Sequence, residues 1–84
     1  MRVTVELTYD MSKALGTDHF EVEDVATVKE LIAKARERVG PTFEEHTRLA
    51  AVAVNGVLTS HAKGLGTRLA DGDRVSFVKA AAGG

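Results

Sequence analysis

Thr27-Val28-Lys29-Glu30-Leu31-Ile32-Ala33-Lys34-Ala35-Arg36-Glu37-Arg38-Val39-Gly40-Pro41 is the stretch on which the reading of the fold turns. Thr27 stands three residues before Glu30, the spacing of a capping box. The threonine hydroxyl accepts from the Glu30 N–H, and the glutamate reaches back to the cap. Val28, Leu31, Ile32, Ala35 and Val39 then recur at helical spacing as one apolar stripe, with Lys29, Lys34, Arg36, Glu37 and Arg38 on the other side. Gly40-Pro41 ends the helix, because glycine tolerates a left-handed cap and proline cannot continue the ladder. A helix with a single apolar stripe has to be covered on that side.

The flanking sequence supplies the cover. Arg2-Val3-Thr4-Val5-Glu6-Leu7-Thr8 alternates strictly, which predicts a half-buried strand with Val3, Val5 and Leu7 inward. His19-Phe20-Glu21-Val22-Glu23 alternates again, so the two segments suggest an antiparallel hairpin. Residues 9–17 between them read as a connection, with Met11, Ala14 and Leu15 tucked back onto the core. Beyond the helix, Phe43 anchors a short turn or helical piece, and residues 49–54 read as a more buried strand. Asn55-Gly56 is a tight-turn dipeptide suited to positive φ, with Val57-Leu58 returning. Residues 59–68 read as a loop, Leu69 plugs the core, and Asp71-Gly72-Asp73 turns the chain. Arg74-Val75-Ser76-Phe77-Val78 is the last strand, with Val75 and Phe77 inward. One helix on one face of a mixed sheet of four to five strands is an α+β architecture. If the first and last strands pair centrally, as this order permits, the termini leave from opposite ends or edges.

Eighty-four residues make one domain. The reading divides them into a folded body over residues 1–79 and a flexible tail over residues 80–84. Eleven Lys and Arg against twelve Asp and Glu leave a formal net charge of -1, with no basic block. That balance argues against nucleic acid or an anionic membrane as the main partner. The absence of cysteine excludes disulfides, thiolate metal sites and cysteine nucleophiles. The longest apolar run, residues 49–54, is far too short to span a bilayer, and the N-terminus shows no leader-like apolar region. The expected setting is a reducing cytoplasm.

Few residues point to chemistry within the body. His19, His46 and His61 stand in three separate segments without a close-spaced pair, so no metal site is expected. Asp71-Gly72-Asp73 lacks the further alternating carboxylates of a cation loop and reads as a turn. Gly64-Leu65-Gly66 follows no strand and opens no helix, so it fails as a phosphate loop, and no nucleophile elbow is present. The tail is different. The last strand runs directly into Lys79-Ala80-Ala81-Ala82-Gly83-Gly84 with no charged or Ser-rich spacer. A peptide without bulky side chains can thread a narrow channel and present its terminal carboxylate to another active site, with the final carbonyl unhindered. Fully extended, these residues span at most roughly 20 Å. A flat patch formed by Val78 with Ala51 and Ala53, flanked by Arg74 and Lys79, would suit docking beside that tail. A solvated face is the plain alternative.

The order of elements, the Asn55-Gly56 turn, Leu69-Ala70-Asp71-Gly72-Asp73-Arg74-Val75 and Gly83-Gly84 together resemble ubiquitin-like β-grasp sulfur carriers. Within these the chain is most similar to the small subunit of molybdopterin synthase, with the thiamine-pathway carrier as close kin. The resemblance covers essentially the whole chain. It implies that an E1-like adenylating enzyme uses ATP to activate the Gly84 carboxylate, and that a sulfur donor then converts it to a thiocarboxylate. A sulfur-accepting synthase subunit receives that sulfur. Gly83 gives clearance, and Arg74, Val78, Lys79, Ala80, Ala81 and Ala82 contact partners. The carrier itself binds no cofactor and is a protein substrate rather than an enzyme. Molybdopterin-pathway carriers usually have a Pro-rich stretch before Gly-Gly, whereas here Ala80-Ala81-Ala82 fills that place. Thiamine, cysteine or methionine, and secondary-metabolite synthesis are the alternative destinations, and a ubiquitin-like modifier conjugated through Gly84 is the alternative class.

Overall fold

Helix α2, Val28–Val39, starts where Thr27 Oγ1 accepts the Glu30 N–H at 3.3 Å. The computed structural model describes residues 2–47, 50–59 and 65–78. Glu30 Oε1 reaches back to the Ala26 N–H at 2.7 Å, one residue before the cap itself. The helix's first free donors find partners in the distant segment 65–69: Val28 N–H donates to the Thr67 carbonyl (3.1 Å) and Lys29 N–H to the Leu65 carbonyl (3.0 Å). Leu69 N–H in turn donates to the Ala26 carbonyl (2.8 Å), which lowers the Leu69 side chain into the core. The expected apolar stripe is the buried one, with Val28, Leu31, Ile32 and Ala35 in the core and Val39 half-buried beside it.

The strands are β1, Arg2–Glu6; β2, His19–Glu23; β3, Ala51–Val54; β4, Val57–Thr59; and β5, Arg74–Val78. They form one mixed sheet in the order β2-β1-β5-β3-β4. β1 and β2 make the expected antiparallel hairpin, while β1 and β5 run parallel at the centre. The start of β1 and the end of β5 therefore lie at opposite ends of the sheet. One face packs Val3, Val5, Val52, Val75 and Phe77 against the helices. At the centre Phe43 meets Phe20 and Phe77 edge to face, at centroid separations of 6.4 and 5.4 Å. Phe43 opens the short helix α3, Phe43–Thr47, as the sequence reading allowed.

One connection is wrong in that reading. Residues 9–15 form helix α1, Tyr9–Leu15, with Thr8 Oγ1 accepting the Met11 N–H at 3.2 Å as its cap. Thr8 is therefore not an outward residue of β1, which ends at Glu6. Met11 is buried and Leu15 half-buried, as expected, but Ala14 is exposed. The third strand is also shorter than expected. Ala50 is buried ahead of β3, and Leu49 lies outside the described residues.

The two turns at the lower end of the sheet are as read. Asn55 and Gly56 both have positive φ, 51° and 86°, which matches the twist of the β3–β4 hairpin. Gly72 turns the chain at φ 86° while its N–H donates to the Arg2 carbonyl at 2.8 Å. Asp71 Oδ1 accepts the Arg2 N–H at 2.7 Å, and Asp73 Oδ2 accepts the Ala70 N–H at 2.8 Å. Both carboxylates thus fasten a turn.

Candidate functional site: the open sheet face and the end of β5

Because the helices cover one face, the alternate residues of every strand stand on the other. Pairing registers set Thr4 beside Arg74, Glu6 beside Ser76, Ser76 beside Ala53, and Val78 beside Ala51. β4 adds Leu58, which pairs with Ala53 and is 65% exposed. The open face is therefore split by composition. Toward β2 and β1 it carries His19, Glu21, Glu23, Arg2 and Glu6; toward β3 and β4 it carries Ala51, Ala53, Val78 and Leu58. Small side chains keep the second half flat, with Leu58 projecting at its margin. Ala53 is 6% exposed yet stands apart from the core cluster, because its neighbours on this outer face cover it.

A polar seam divides the halves. Ser76 Oγ donates to Glu6 Oε1 at 3.0 Å, and Arg74 Nε lies 3.5 Å from Glu6 Oε2. The ion pair is largely solvated and contributes little to stability. It sets Glu6 and Arg74 side by side at the border of the apolar strip.

The anticipated patch of Ala51, Ala53 and Val78 is assembled as read. Arg74 flanks the patch from the other end of β5, about 13 Å of strand from Val78. Lys79, Ala80, Ala81, Ala82, Gly83 and Gly84 lie outside the described residues, as does His61. What the structure fixes is the point from which they continue. β5 ends at Val78, paired with Ala51 at the start of β3, so residue 79 follows directly from the apolar strip.

Leu58 and Glu6 were not singled out in the sequence. Leu58 was legible in principle, since a two-residue Asn55-Gly56 loop forces Val57 opposite Val54 and hence Leu58 opposite Ala53. Glu6 needed the parallel β1–β5 register, which no local pattern reveals. Among the described residues, no three His, Cys, Asp or Glu side chains converge as metal ligands, and no helix is long and apolar enough to cross a membrane.

A mixed sheet with parallel central strands, covered by helices on one face and ending in a strand that leads to Gly-Gly, is the ubiquitin-like β-grasp arrangement that sulfur carriers of this kind share. The ThiS family matches residues 7–84, and the chain belongs to it. No curated protein matches the chain. Among solved structures, small archaeal modifier protein 1 from Haloferax volcanii superposes with a TM-score of 0.80 at 20% identity, covering 100% of both chains. A chain in the BexX/CysO complex of Amycolatopsis orientalis gives 0.75 at 28% identity, covering 98% of this chain and 99% of that one. A chain in the complex of subunits 1 and 2 of the molybdopterin-converting factor from Helicobacter pylori gives 0.63 at 22%, covering 100% of both.

Proposed function

We propose that this chain carries sulfur on its C-terminal carboxylate and delivers it to a synthase in cofactor biosynthesis, in the manner of the small subunit of molybdopterin synthase. The Gly84 carboxylate attacks the α-phosphorus of ATP on an E1-like enzyme, and pyrophosphate leaves. A hydrosulfide-level donor then attacks the acyl carbon, AMP leaves, and Gly84 ends in a thiocarboxylate. The carrier supplies the acyl group and its approach, and the partner enzymes supply the acid, base and metal-ion chemistry. It acts as a protein substrate.

The observation that carries this reading is the continuity of β5 with the tail. An apolar strip of Ala51, Ala53, Val78 and Leu58 borders the strand end that leads to Gly83 and Gly84, so one docking event orients both. Attachment at Val78 matters because docking of the strip keeps the tail within reach of the partner's site, which replaces a bimolecular search. A second reading, delivery to an acceptor other than the molybdopterin enzyme, is favoured by the 28% identity to the chain from the BexX/CysO complex and by Ala80-Ala81-Ala82 in place of a Pro-rich tail.

The test is sulfur transfer with and without the last residue. The carrier, an activating enzyme, ATP and a sulfur source are combined, and acceptor synthases are added in turn. Turnover of the molybdopterin synthase large subunit that disappears on deleting Gly84 is the expected outcome. Turnover that survives the deletion refutes the proposal, and ladders of higher-mass lysine conjugates would assign the chain to the modifier class.

A further inference from the structure

Strand β2 forms the sheet edge opposite β4, two strands removed from the apolar strip. Its pairing with β1 determines which of its backbone groups are already used. Leu7 N–H donates to the Asp18 carbonyl at 3.0 Å. Bonded pairs of an antiparallel ladder alternate, so they recur at Val5 with Phe20 and Val3 with Val22. His19, Glu21 and Glu23 consequently direct N–H and C=O away from β1. The Thr17 hydroxyl bears this out by donating to the His19 carbonyl at 2.8 Å from the open side. For Glu21 and Glu23 those outward groups meet no partner among the described residues.

Alongside this edge runs an open groove of about 1290 Å³ between β2 and α2. Leu15, Val39 and the rims of the buried Phe20 and Val22 form its apolar part, Lys34, Glu37 and Arg38 of α2 form its charged wall, and the Arg38 guanidinium lies 5.8 Å from the Phe20 ring centroid. The carboxylates of Glu21 and Glu23 stand on the other side of the edge, 54% and 63% exposed, and already attract a guanidinium from β1: Arg2 lies 3.9 and 3.4 Å from them.

We infer that the β2 edge receives an extended segment of a partner protein in which Lys or Arg alternates with apolar residues, added to the sheet as a further strand. Side chains of an added strand point alternately to the two faces. One set falls beside Glu21 and Glu23, where a cation gains a cross-strand pair and an anion is repelled. The other set falls toward the groove, where an apolar side chain meets Leu15, Val39 and the rims of Phe20 and Val22 beside the stems of Lys34 and Arg38. The unpaired main-chain groups of Glu21 and Glu23 supply the hydrogen bonds. Two registers of a second copy of this chain are disfavoured. Antiparallel self-pairing centred on Glu21 sets that carboxylate against its own copy, and in-register parallel pairing stacks every glutamate on itself. The site lies apart from the tail and from the apolar strip, so a partner segment can occupy it while the tail is engaged elsewhere.

The test titrates two short capped peptides, alternating Lys-Val and alternating Glu-Val, onto the isotope-labelled full chain and follows backbone amides by NMR. With the Lys-Val peptide the amides of His19, Glu21 and Glu23 shift and gain exchange protection, while the Glu-Val peptide leaves them unmoved. The double variant Glu21→Lys, Glu23→Lys binds the Lys-Val peptide about tenfold more weakly and reverses the preference. Glu21→Pro removes an edge N–H that β1 does not use, and weakens binding with the β1 ladder kept. Equal binding of both peptides, shifts confined to Ala51, Ala53 and Leu58, or no shift at all would overturn the inference. None of these readouts involves Gly84, so the sulfur-carrier reading stands or falls separately.

Discussion

The side-chain amide of Asn55 donates to Asp73 Oδ1 at 2.9 Å, joining the β3–β4 turn to the residue before β5. The same amide's oxygen accepts the Arg74 N–H at 2.9 Å, and the Asn55 N–H donates to the Arg74 carbonyl at 2.8 Å. Asp73 also passes its own carbonyl to the Thr4 N–H at 3.0 Å. Three strands are therefore indexed to one another at the end of the sheet remote from the tail. The pairing that fixes β5 between β1 and β3 is also what sets Val78 beside Ala51.

Asp73→Ala removes acceptors from Ala70 N–H and the Asn55 amide together. The expected loss is about 0.5 to 1.5 kcal/mol of unfolding free energy, read from urea denaturation, because both bonds are solvent-exposed. Asn55→Ala should cost a similar amount, and the double variant less than the sum, because the two side chains share one bond. Strict additivity would show that the Asn55–Asp73 bond contributes nothing.

The Asp73 carboxyl titrates below its usual value of 3.8, chiefly because the Ala70 N–H donates to the carboxylate and secondly because the Asn55 amide does. A folded-state pKa below the unfolded one means that the ionised form is favoured by folding. The contribution is complete above the unfolded pKa and is lost as pH falls from there through the lowered folded value. Denaturation midpoints should thus decline below about pH 4, and Asp73→Asn should flatten that part of the profile. An unchanged acid limb in Asp73→Asn would contradict the assignment.

Phe77→Ala and Leu69→Ala open cavities beneath β5 and under the start of α2, and each should cost about 2 to 5 kcal/mol. Phe43→Ala removes the ring that touches both Phe20 and Phe77 and should cost about 3 to 5 kcal/mol. Denaturation midpoints and near-ultraviolet circular dichroism check all three.

Leu58→Asp places a charge on the exposed margin of the apolar strip. Stability should stay within about 0.5 kcal/mol, because the side chain is largely solvated. Affinity for the activating enzyme or the acceptor synthase should fall about tenfold or more, measured by calorimetry. Unaltered affinity for both would remove Leu58 from the docking surface.

Gly83→Val should leave thermal unfolding unchanged and block activation, since the added side chain obstructs the channel and crowds the acyl carbon. Loss of the unfolding transition in this variant would assign the tail a structural role instead.

Much of this fold was legible because its signals are local. The Thr27–Glu30 cap, the apolar stripe of α2, the alternation of β1, β2 and β5, and the Asn55-Gly56 turn all lie within a few residues of what they specify. Helix α1 was missed because Thr8 satisfies two patterns at once, extending an alternating strand and capping a helix; tertiary burial of Met11 selects the second. The face proposed for docking was legible in part. Ala51, Ala53 and Val78 share a parity that sequence alone predicts, whereas the Glu6–Ser76–Arg74 seam depends on β1 and β5 being parallel neighbours some seventy residues apart, as the Ser76 to Glu6 bond is. The free edge of β2 is invisible in sequence, because strand order decides which strand is outermost.

Mass spectrometry of the intact carrier after incubation with its activating enzyme, ATP and a sulfur source, followed by fragmentation, tests the central claim most directly. The account predicts one oxygen-to-sulfur exchange located on Gly84 and absent from a chain lacking that residue. Sulfur found on any other residue, or an unmodified Gly84 under conditions that load a known carrier of this family, would contradict it.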